Sequence, residues 1–131
     1  IYLDVVSRYF ICSPSMMMRS EVLRELGGYD ESLAYEDFDF WVRSSRIVKY
    51  VYVSEPLIKR RVLKRSMGRD QFKKGSRQLL STFVVIEKIK QLNRNIAERK
   101  AWRRRVWYEI RVCIRLLEIA LAIRYLKLLL R

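Results

Sequence analysis

The spacing of apolar positions shifts along this chain, and each shift predicts a change of element. Residues 9–19, YFICSPSMMMR, show aromatic and β-branched residues, an interrupting Pro14 and three Met with no helical period, so they read as extended. A short helix is expected over 21–26, capped by Ser20, with Glu21 in its first turn and Gly27-Gly28 ending it after Leu26. Residues 29–32 then form a loop. From Glu36 the period turns helical, with Phe38, Trp41 and Val42 at i, i+3, i+4 and Arg43 and Arg46 on the other side. Alternating β-branched and aromatic residues over 47–53 predict a strand that Pro56 ends. Residues 57–68 read as a basic connector whose first part is a short strand.

Everything after Arg69 reads as helix. Over 69–92, Phe72, Leu79, Leu80, Phe83, Ile86 and Ile89 fall near helical spacing, and Asn93-Arg94-Asn95 punctuates. A second helix is expected from about Ile96 towards Leu130. It is apolar around much of its circumference from Trp102 onward, yet carries Arg104, Arg111, Arg115 and Glu118 on one face and Arg124, Lys127 and Arg131 on another. Its longest uncharged run, 119–123, is far shorter than the ~20 apolar residues of a membrane span. A basic helix with Trp102, Trp107, Tyr108 and Tyr125 suits the membrane interface, and equally suits packing on a neighbouring helix or in an oligomer.

Charge sharpens this division. The net charge is +14, but residues 1–58 hold 6 of the 28 basic groups and 9 of the 14 acidic ones, leaving 22 basic against 5 acidic groups for the remainder. Two regions are therefore expected, 1–68 and a basic amphipathic helical extension over 69–131, and the second calls for an anionic partner. Cys12 and Cys113 stand far apart and the chain has no His, which argues against a disulfide scaffold, a zinc site and histidine-based catalysis. Both Cys read as small buried hydrophobes of a reducing compartment. The chain opens at Ile1 without an initiator Met or a signal-type segment, and is read as part of a longer protein.

The chemistry concentrates in Tyr35 to Trp41, YEDFDFW. An Asp-x-Asp triplet invites a metal reading, but on a helix residues two apart point nearly opposite ways, since each turns the helix by ~100°. No metal site is expected in these residues. Asp39 stands four before Arg43 and is left to the helix surface as its ion-pair partner. A single carboxylate, Asp37, held at a helix start and aimed into a cleft, is suited to act as a general base. The plainer alternative is an acidic first turn that complements the helix dipole.

A longer pattern surrounds it: Arg19, then Leu26-Gly27-Gly28-Tyr29-Asp30-Glu31, then Glu36-Asp37-Phe38-Asp39-Phe40-Trp41-Val42-Arg43, then Pro56-Leu57 and Arg61 with Ser66. It resembles the second half of a family-2 glycosyltransferase of the GT-A fold, over about residues 9–68. The resemblance implies an α+β fragment of a GT-A α/β fold followed by a predominantly helical tail. It implies that Asp37 is the catalytic base of an inverting transfer from a nucleotide-sugar donor to a carbohydrate or lipid-linked acceptor, in cell-surface polysaccharide or glycolipid synthesis. Glu36, Arg19, Gly28, Tyr29 and Asp30 would line the acceptor side, with the turn at 27–31 and a strand at 16–19 forming the cleft, and Arg61 would meet diphosphate. A divalent metal, Mg or Mn, is implied through an Asp-x-Asp upstream of these residues, so the fragment alone would be inactive. The chain departs from the family in having Leu63 where a His is common and Arg60 where a Tyr is, which removes any role of that His.

Two other functions compete. The basic second region with interleaved Trp102, Trp107 and Tyr108 suits nucleic acid, although no nucleic-acid fold signature accompanies it. A purely structural hairpin that forms a homo-oligomer through the C-terminal helices explains the apolar excess. The glycosyltransferase reading is favoured over both, with a cytoplasmic location and peripheral placement at an anionic inner membrane face.

Overall fold

The computed structural model describes residues 1–8, 10–59, 61 and 73–130. Six α-helices follow one another among them: α1 Tyr2–Ser7, α2 Ser20–Glu25, α3 Glu36–Ser44, α4 Arg77–Leu92, α5 Ile96–Arg115 and α6 Ile119–Leu130, with a 3-10 turn at Ser13–Ser15.

The α+β expectation fails. Among the described residues there is no strand and no bridge between strands. The segment 47–53, read as a strand from its Val, Ile and Tyr content, begins as the turn that leaves α3, and its Val51 and Tyr52 are each 88% exposed. A strand exists only through a neighbour that completes its hydrogen bonds. β-Branched and aromatic content reports fitness for a half-buried pleated surface, and no such surface is offered here. The stretch expected to be extended at 9–19 is so at Cys12, Met16 and Arg19, but it holds a 3-10 turn at 13–15, and its described residues join no ladder, so 16–19 is extended chain and not a strand. The beginning of the 57–68 connector is irregular at 57–59 and 61, and the rest lies outside the described residues, as do Phe72, Arg60, Leu63 and Ser66.

The helices fare better. α2 starts one residue early, with Arg19 as its N-cap and Ser20 inside the first turn. Its end is as read: Gly27 and Gly28 stand at φ 72° and 76°, and the Gly28 amide donates back to the Leu23 carbonyl at 2.8 Å. That six-to-one bond needs left-handed backbone, which glycine adopts without steric penalty. α4 starts where the Ser76 hydroxyl accepts from the Gln78 amide, and α5 where Asn95 accepts from the Glu98 amide at 2.9 Å.

The single long C-terminal helix is in fact two. At residues 116–118 the chain reverses: Leu117 takes φ 59°, its amide donates to Ile114, and the Glu118 amide donates to the Cys113 carbonyl at 2.8 Å. This is the same terminating motif as at Gly28, built without glycine, so no turn residue marks it in the sequence. The Glu118 carboxylate then accepts from the Gly75 amide, tying the reversal to the approach to α4.

α5 is the central element, packed by α1, α4 and α6, while α3 bridges α1 and α4. One apolar core joins residues on both sides of position 68, from Val6, Phe38 and Val42 to Ile86, Val106 and Tyr125. Polar anchors fix its depth. The Trp102 indole donates to the Ile86 carbonyl at 2.9 Å, and buried Arg105 pairs with Glu109 at 2.7 Å under the Phe38 ring. Cys113 is fully buried and Cys12 only partly so. Burial pushes the Cys113 thiol up to about 11.

Candidate active site

α3 is apolar around most of its girth: Phe38, Phe40, Trp41 and Val42 are each at most 2% exposed. Tyr35 stacks on Phe38 at 5.2 Å and meets Trp41 edge-on, which fixes how the chain enters the helix. The first turn is left with its carboxylates, and they meet different fates.

Asp39 is not at the helix surface. It is 1% exposed, and its two oxygens are taken by different cations: Arg43 Nε at 2.7 Å and Lys88 Nζ, from α4, at 2.9 Å. The i, i+4 pairing with Arg43 is as expected, and the burial is not. From this centre the network spreads into the Gly-Gly turn. Arg43 also donates to the Leu26 carbonyl at 2.6 Å and the Gly28 carbonyl at 2.8 Å, while Lys88 reaches Asp30 at 2.9 Å. Asp30 accepts from the Ser32 amide and hydroxyl, and these bonds with the Lys88 charge lower its pKa to about 2. Burial opposes charge on Lys88, but the bonds to Asp39 and Asp30 outweigh it and its pKa ends raised. One more anchor comes from α4, where the Ser81 hydroxyl accepts from the Ala34 amide at 2.8 Å.

The turn is thus strapped beside the start of α3. Tyr29 lies on the Phe40 ring at 4.9 Å, and its hydroxyl is raised by burial and by the charges of Asp37 and Glu36. Asp37 itself is half-buried, with Oδ1 accepting from the Phe38 amide at 2.8 Å. Its pKa is raised: loss of water is the main cause, the Phe38 amide opposes it, and the neighbouring Glu36 charge adds to it. A helix start alone would stabilise the carboxylate, so burial here overrides the dipole.

Of the residues singled out from sequence, Glu36, Asp37, Gly28, Tyr29 and Asp30 therefore come together. Gly28 and Asp30 serve this corner by fastening the turn. Arg19 is the exposed N-cap of α2, and Arg61 is exposed on the connector. A shallow apolar surface dent with no room for a water molecule lies beside α3, lined by Val5, Arg8, Phe10, Ile11, Phe38 and Trp41, none of them a predicted site residue. The residues present do not fit a divalent ion: Asp39 is saturated by two cations, and among the described residues no three His, Cys, Asp or Glu converge.

Sequence reasoning missed Lys88. The signal was its register, for Ser81, Val85, Lys88 and Leu92 share one face of α4 at core spacing, where a cation requires a buried partner.

This helical corner, with one half-buried carboxylate beside a strapped turn, is the core of a region with known relatives. Residues 3–109 match the model of Glycosyltransferase like family 2, and the chain belongs to that family. The match runs past the connector through α4 and most of α5. No curated protein and no solved structure matches the chain.

Proposed function

We propose that the corner formed by Glu36, Asp37 and the turn at 28–30 is the acceptor side of an inverting sugar transfer, with Asp37 as general base. Family membership supports a glycosyltransferase-like role. The observation that carries the finer reading is the strapping of the turn against α3 by Arg43 and Lys88, which holds Tyr29 beside a half-buried Asp37 whose hydrogen bonds come from the Phe38 amide and Ser13, both uncharged. Removing water from a carboxylate raises its basicity towards the range in which a base works near neutral pH.

In the proposed step the acceptor hydroxyl proton passes to the Asp37 carboxylate. The oxygen lone pair forms the new bond to the anomeric carbon. The bond from that carbon to the nucleotide diphosphate breaks, and its electron pair leaves with the diphosphate. Attack opposite the leaving group inverts the configuration. In this reading Glu36 and Tyr29 orient acceptor hydroxyls by hydrogen bonding. The donor nucleotide and any Mg or Mn would be held by residues outside this corner, with Arg61 a candidate contact for the diphosphate. Product class, cell-surface polysaccharide or glycolipid, belongs to this proposal.

The test is Asp37→Asn in a preparation that transfers sugar. The isosteric amide cannot take the proton, so kcat should fall by ~10²–10⁴ while donor affinity stays unchanged. Turnover within a few-fold of the parent would remove Asp37 from the chemistry.

A further inference from the structure

α5 carries an outward face whose composition nothing in the transfer reaction uses. Lys100, Arg103, Arg104, Arg111 and Arg115 are all exposed along it, over about 22 Å at 1.5 Å per residue. The only acids of the helix, Glu98 and Glu109, are turned inward, 7% and 5% exposed, so no carboxylate of α5 relieves that charge. Trp107 lies on the same face at 51% exposure, and Ile114 follows two turns later at 53%. At the reversal Leu117 and Ile119 are also in the open, and α6 exposes Ile119, Ile123, Leu126 and Leu130 at i, i+4, i+7, i+11.

Charge complementarity decides among occupants. A second copy seated on this face across a two-fold axis would set cations against cations. A nucleic-acid duplex meets the charge but offers nowhere for Trp107 and Ile114 to leave water. A bilayer with anionic lipid meets both, since headgroup phosphates face the cations and the interface accepts indole and aliphatic side chains. Among the described residues no helix is long and apolar enough to cross a membrane, so the contact is one of lying on the surface.

We propose that the outward face of α5, from Lys100 to Arg115, rests on the headgroup layer of an anionic bilayer, with Trp107 seated among the headgroups. This is independent of the assignment of Asp37.

The test is co-sedimentation of the intact chain with phosphatidylcholine vesicles, alone and with phosphatidylglycerol, at fixed salt. Binding is expected only to the anionic vesicles. Each basic residue near such a surface contributes about fivefold in affinity, so Arg104→Gln with Arg111→Gln should weaken binding by about 30-fold while circular dichroism shows the helices retained. Vesicles should shift the tryptophan emission of the parent to shorter wavelength, and Trp107→Phe should abolish the shift. Equal binding to neutral vesicles, no binding, an unaffected double variant, or tighter binding to an RNA duplex at the same salt would each overturn the proposal.

Discussion

Replacing Asp39 by Asn keeps the shape of the side chain, removes its charge and turns one of its two accepting oxygens into a donor. In the folded protein that carboxylate is 2% exposed and carries two cations, whose side chains are 24% exposed for Arg43 and 38% for Lys88. Breaking a buried ion pair from one side destabilises by roughly 3–5 kcal/mol when the stranded partner is itself buried. Here both cations recover part of their hydration, so the cost falls to the bottom of that range or just under it, roughly 2–3 kcal/mol. For a chain of this length about 4 °C of melting temperature accompanies each kcal/mol, giving a fall of roughly 10 °C by circular dichroism. The molecule supplies its own control. Asp4 and Arg8 have the same i, i+4 spacing at 3.1 Å, but their side chains are 52% and 68% exposed, and Asp4→Asn should cost less than about 0.5 kcal/mol. Hydrogen exchange should show faster opening of the Gly28 amide in Asp39→Asn, because Arg43 would release the turn. If Asp39→Asn and Asp4→Asn prove equal, burial gives the Asp39 network no special strength and the strapping of the turn must have another cause.

Acid should release a second tie. The Arg46 guanidinium grips both oxygens of Glu98 at 2.8 Å, and these bonds lower the Glu98 pKa to about 2 from an ordinary 4.5. A carboxylate lowered in the fold stabilises it above the unfolded pKa and loses that contribution as pH falls through the folded one. Glu98→Gln should therefore cost about 3 kcal/mol at pH 7 and almost nothing near pH 2, read by urea titration across that window. Leu117 holds a left-handed φ of 59° with its side chain 68% exposed, so Leu117→Gly should stabilise by about 1 kcal/mol in thermal melts.

What could be read from the residues was largely what depends on local rules. The Gly27-Gly28 stop, the start of α3 at Glu36 and the break at Asn93 to Asn95 rest on caps and turns that a few adjacent residues specify. The strand expected over 47–53 failed because a strand is a relation between segments. Leu117 concealed the α5–α6 reversal because a leucine was forced into a conformation normally marked by glycine. At the site, Asp37 could be singled out through motif and helix position. Asp39 could not be placed in the interior, because its second cation lies 49 residues away on α4.

The Arg46–Glu98 contact also bears on the order of assembly. α4, α5 and α6 are joined by turns of three residues each, so their mutual contacts close small loops and form early. Arg46 meets Glu98 across 52 residues of chain and donates to the Leu92 carbonyl from the same guanidinium, at the very corner where α4 gives way to α5. α3 therefore docks on that corner through a far longer closed loop than those that join the C-terminal helices to one another. The expected consequence is that the C-terminal helices serve as the template for the segment bearing Asp37, which pulse-labelled hydrogen exchange should show as later protection of α3 than of α4 and α5.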